Sequence, residues 1–127
     1  MQRALTLIIV LSVLCFGCGI RLDRLQRDTA QAYLDELEGI RTAVQMGKTD
    51  EARMQEALLH ARWQHDSSWL NCMIGHHHTR DVSSALLHLA TALEMDWQER
   101  ALHALDEAVD ALNDIRDAEF CRWENIL

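Results

Sequence analysis

The chain has 127 residues, room for one domain beside a leader or anchor, and it carries a net charge of −8 with no proline. From residue 28 onward 19 acids stand against 8 lysines and arginines, a net of −11. So acidic a body repels phosphate backbones, which sets nucleic-acid binding aside.

Residues 4–20, ALTLIIVLSVLCFGCGI, form an uncharged apolar block. Seventeen helical residues rise about 26 Å, slightly less than a hydrocarbon core of roughly 30 Å. The block exceeds the ~7–15 residues of a cleavable signal's apolar region, so an uncleaved single-pass anchor over residues 1–20 is the leading reading. A lipoprotein signal ending at Cys18 competes with it. Gly17 suits lipidation there, whereas Cys15 and the bulky Phe16 do not. Cys15 and Cys18 also have the spacing of a redox pair, but inside an apolar span they read better as packing residues.

Arg21, Arg24 and Arg27 follow the block and suit pairing with lipid headgroups. Counted literally, these arginines place the following domain in the cytoplasm. A short basic start before an apolar block is also how export signals begin. The working expectation is single-pass attachment to the cell membrane with the domain outside the cytoplasm.

Residues 21–127 read as an acidic, all-α domain: an up-and-down four-helix bundle continuing from the anchor helix. The first helix, about 21–46, has Leu25, Thr29, Tyr33, Leu37, Ile40 and Val44 along one face. Gly47 fits the left-handed residue after a helix end. Thr49 is then expected to cap a helix over 50–73, with Asp50 and Glu51 in its positive first turn. For that second helix Met54, Leu58, Ala61, Trp69 and Met73 are available for burial.

A third helix, about 79–93, has Val82, Ala85, Leu86, Leu89 and Leu93 on one side. Asp96 to Glu99 has the form of a capping box opening a fourth helix over 97–122. Leu102, Leu105, Val109, Leu112 and Ile115 form its apolar stripe. Short joins make neighbouring helices antiparallel. Residues 43–52 (AVQMGKTDEA) and 92–101 (ALEMDWQERA) echo each other at an offset of 49, which supports the helix boundaries.

Cys72, His76, His77 and His78 are the sharpest candidates for a site, since thiolate and imidazole suit zinc or a similar transition metal. His65 or Cys121 could complete such a set. The spacing matches no standard zinc pattern, and solvated histidines at a helix break are the plainer reading. His60, His88 and His103 read as surface or boundary residues. Cys72 and Cys121 read equally as a disulfide or as two buried thiols.

Trp63, Trp69, Trp97 and Trp123 read as core and interface anchors. With no phosphate loop, nucleophile elbow or paired-acid motif, no catalytic residue is assigned. The expectation is a non-enzymatic accessory protein, without a cofactor, that contacts membrane lipid and a membrane-protein partner. Trp69, His76 and Trp123 are its expected contact residues, and a metal sensor or carrier is the alternative.

The apolar start, a Trp closing the second helix, a histidine after it and the closing Trp123-Glu124-Asn125-Ile126-Leu127 together resemble the bacterial domain-of-unknown-function family 4363. The similarity covers most of the chain, and His76 looks like the family's histidine. Where the family pattern has acids just after that histidine, this chain has His77, His78 and Arg80. The resemblance implies a small membrane-attached helical protein that accompanies larger membrane proteins, and it supplies no catalytic residue.

Overall fold

The structure, a computed structural model, describes residues 1–74 and 76–124, apart from the side chains of Met73 and of residues 118–124. Its described residues form four helices: α1 (Gln2–Gln45), α2 (Thr49–Ile74), α3 (His76–Glu94) and α4 (Gln98–Glu124). The apolar segment and the first helix are one rod of 44 residues, about 66 Å long, with nothing in it to break the helical ladder. The third helix starts three residues before the expected Thr79.

Each helix packs against two neighbours, α1 and α3 both lying against α2 and α4. The four therefore form a square, with α2 diagonally opposite α4. Pairs such as Tyr33 with Asp66 and Trp63 with Ser83 show that neighbours run antiparallel. This is the up-and-down bundle that the short joins require.

The core takes one stripe from every helix. Tyr33, Leu37, Ile40 and Val44 of α1 are buried, as are Val82, Ala85, Leu86, Leu89 and Leu93 of α3. From α4 come Leu105, Leu112 and Ile115, with Leu102 and Val109 packed half-buried against them. Each fully buried leucine or isoleucine contributes about 1.5–3 kcal/mol relative to exposure.

Two expected stripes are corrected. On α1, Leu25 is 51% exposed and Gln26 is buried in its place, donating from Nε2 to the Ile115 carbonyl of α4 at 3.0 Å. On α2, Met54 and Leu58 point outward, while Ala52, Leu59, Trp63 and Leu70 line the core. Both readings of α2 obey helical spacing. The larger side chain decides: Trp63, 1% exposed, sets its edge against Tyr33 with ring centroids 5.3 Å apart.

The turns after α1 and α3 repeat each other atom for atom. Gly47 and Lys48 donate to the carbonyls of Val44 and Ala43, and Asp96 and Trp97 donate to those of Leu93 and Ala92. Both are Schellman endings, with Gly47 (φ 74°) and Asp96 (φ 57°) in the left-handed position. The sequence echo at an offset of 49 thus marks two equivalent corners.

Asp96 therefore ends α3 and does not cap α4, which begins at Gln98. Thr49 lies inside α2, and its hydroxyl donates to the Asp96 carboxylate at 3.2 Å, joining the two corners. A crossed pair of bonds strengthens that junction. Gln98 Nε2 donates to the Val44 carbonyl ending α1, and Arg53 Nε donates to the Leu93 carbonyl ending α3. Each covers a carbonyl at a helix end, where partners within the helix run out.

Candidate functional site

The first candidate is the N-terminal half of α1. Leu5, Leu7, Ile8, Ile9, Val10, Leu11, Val13, Leu14 and Phe16 are all more than half exposed. A soluble surface seldom leaves an apolar patch of this extent without a function. This helix is long and apolar enough to cross a membrane. Cys15 and Cys18 lie within the exposed segment. Arg21 and Arg24 are exposed just beyond it and Arg27 is half-buried, spaced along the rod where the bundle begins.

The second candidate is the end of the bundle nearest that segment. Trp69 is half-buried against the core, and its Nε1 donates to Asp66 at 3.5 Å. Cys72, His76 and His77 are exposed, whereas His78 is half-buried. His77 faces Asp81 at 4.0 Å, and its ring lies edge-on to that of His78. Thr79 is buried and donates to the Asn71 side chain, tying the start of α3 to the end of α2.

Among the described residues no three His, Cys, Asp or Glu side chains are arranged to hold a metal ion. The Cys72 thiol instead points at the Ser68 carbonyl, at 3.7 Å. The side chains of Cys121 and Trp123 lie outside the described residues.

A polar node higher up holds α1 to α2. The Tyr33 hydroxyl donates to Asp66 Oδ2 at 2.6 Å, and the Arg62 guanidinium lies 4.9 Å over the Tyr33 ring while bonding Glu36. Burial, then the Asp66 carboxylate, drives the Tyr33 pKa well above that of a free phenol. For Asp66, burial acts to raise the pKa, but hydrogen bonds from Tyr33, His65 and Trp69 outweigh it and the net direction is down. Arg62 is raised, first through its bond to Tyr33 and then through Glu36.

One grouping escapes sequence reading. His88 Nδ1 of α3 and His103 Nε2 of α4 lie 3.4 and 3.3 Å from the two oxygens of Glu107. They border a groove of about 440 Å³ with Trp97 and Arg100. The His103–Glu107 spacing of four was visible in the sequence. His88 comes from another helix, and only the packing brings it in. A smaller recess of about 280 Å³ lies between the corners, lined by Gly47, Thr49, Asp96, Trp97 and Gln98.

Among known families, the model described as a domain of unknown function (DUF4363) matches residues 23–126, the whole bundle without the exposed apolar segment. No curated protein and no solved structure matches the chain.

Proposed function

Since the chain belongs to the DUF4363 family, whose description names no activity, we propose from its geometry a membrane-anchored, non-enzymatic binding module. The observation that carries this is the exposed apolar half of α1, continuous with a fully packed bundle. Lipid covers the first half and Arg21, Arg24 and Arg27 meet the headgroups. The short basic start before the apolar block, the form in which export signals begin, favours the acidic bundle standing outside the cytoplasm. It serves as an accessory subunit, meeting a membrane-protein partner around Trp69 and His76.

The titratable groups with shifted pKa values hold the bundle together. Strong pKa perturbation marks an active site when it occurs in a cleft. Here Tyr33, Arg62 and Asp66 join two helices and line neither the recess between the corners nor the α3–α4 groove.

Alkaline extraction of membranes tests the anchor, and the protein should stay with the lipid. An impermeant thiol reagent on intact cells tests the side: Asp50→Cys, at a fully exposed position, should label readily. Protection of that cysteine would refute the extracytoplasmic placement. Purification from native membranes should recover a companion protein that is lost on Trp69→Ala while helicity survives. Elemental analysis of the untagged protein separates this reading from a metal carrier, for which one bound metal per chain is expected.

A further inference from the structure

A helix on the outside of an acidic domain ordinarily turns its charges to water and its apolar residues inward. The outer face of α2 departs from this between Met54 and Cys72. Its acids and arginines there are Glu56, Arg62 and Asp66, and each is tied to a neighbour. Glu56 is buried and paired with His60, Arg62 is held by Glu36 and Tyr33, and Asp66 receives Tyr33 and Trp69.

What remains outside is Met54, Leu58, Ala61, His65, Ser68 and Cys72, all exposed and none an acid, lysine or arginine. They recur at steps of four and three, staying within about 40° of one line over about 27 Å of helix. That is the spacing of a coiled-coil seam, with small residues that let another helix come close. Met54 at 61% and Leu58 at 68% exposure are its apolar anchors.

We infer that this face binds a second copy of the same chain, α2 against α2, in parallel and in register. Two observations select that occupant. Copies of so acidic a chain repel wherever their carboxylates meet, and this lane carries none from Met54 to Cys72; Asp50, one turn before Met54 on the same line, is paired with Arg53 at 3.0 Å. The acidic outer face of α4, with Asp106, Asp110, Asp114 and Asp117, lies diagonally opposite and is carried away from the partner. In addition, two copies anchored in one membrane stand the same way up, so the lane meets itself at equal height along its whole length. This second argument rests on the anchor proposed above. Sharing a membrane also raises the effective concentration, so a seam of modest area suffices.

In such a pair Cys72 faces its counterpart, within the Cα separation of about 4.4–6.8 Å that a disulfide requires. The test uses the full-length protein in membranes, with Cys15, Cys18 and Cys121 replaced by serine. Mild oxidation should convert most of the protein to a dimer linked through Cys72. Leu58→Lys, at an exposed site, should lower the yield about ten-fold or more while leaving the thermal midpoint of the detergent-solubilised monomer unchanged, because it places a charge in the seam. Met54→Lys provides the same reading if Leu58→Lys disturbs folding.

A control with Asp110→Cys and Cys72→Ser, reporting from α4, should give no dimer. Equal yields from the two positions, full yield in both lysine variants, or a product crosslinked to a different protein would overturn the inference. Sedimentation of the same samples reads the anchor separately. Membrane-bound protein without a crosslink removes the dimer alone, and crosslinked protein in the soluble fraction removes the anchor alone.

Discussion

Tyr33 joins three kinds of interaction in one side chain: a ring packed against Trp63, a face under Arg62 and a hydroxyl bonded to Asp66. Its folded pKa is raised, so the unfolded chain loses that proton first as pH increases. The stabilisation is complete below about pH 10, the ordinary tyrosine value, and declines as pH rises through the folded pKa. Asp66 has the opposite sign. Its lowered pKa contributes stability above the usual carboxylate range, which is lost as pH falls through the folded value. Tyr33 is the chain's single tyrosine, so phenolate absorbance reports this site alone. It should appear only well above pH 10, and denaturant melts should weaken over the same range. Tyr33→Phe should cost about 1.5–3 kcal/mol near neutrality, the range for a hydrogen bond to a charged group, and abolish the alkaline weakening. A normal phenolate titration in the folded protein would contradict this account.

At the scale of the helix, Leu58 and Leu59 are adjacent in sequence and opposite in environment, 68% and 2% exposed. Leu59→Ala should cost about 2–5 kcal/mol in denaturant melts of the detergent-solubilised monomer. Leu58→Ala should stay within about 0.5 kcal/mol there. Equal losses would mean that α2 is rotated from the orientation described. The phase of α2 was not legible because apolar residues lie on both of its sides. Periodicity alone cannot choose between the Met54 lane and the Trp63 lane. On α3 and α4 a single stripe competes with polar residues, and there the buried leucines could be read directly. The corners were half legible. Gly47 announced its left-handed turn, whereas Asp96 looked like a cap because aspartate serves well in both places. Gly47→Ala should therefore cost about 1–2 kcal/mol, measured by thermal or denaturant melts, since alanine carries the left-handed penalty that glycine escapes.

For the molecule as a whole, the order of helices and their antiparallel path followed from composition and short joins, both properties of the local chain. Contacts between distant helices did not. The His88–Glu107–His103 grouping, the crossed bonds at the corners and the Gln26 bond to α4 each need two helices already docked in register. The same separation of local from long-range governs the role of residues 1–20. All are exposed, and the buried core begins at Gln26 and extends through Ile115. The described core therefore draws nothing from residues 1–20, and the chain from residue 21 onward should fold in water by itself. Far-UV circular dichroism should show a helical spectrum with a cooperative melt. Leu112, 1% exposed in the centre of α4, then tests the core: Leu112→Ala should remove about 2–5 of the roughly 5–15 kcal/mol that such a domain holds. Under the proposed anchoring and α2 pairing, the protein without residues 1–20 loses the concentrating effect of a shared surface, so the pairing should weaken while the fold persists. A disordered spectrum would show instead that lipid or a partner completes the fold. The bundle would then be an obligate subunit, because a core sufficient for independent folding would have failed without its neighbour.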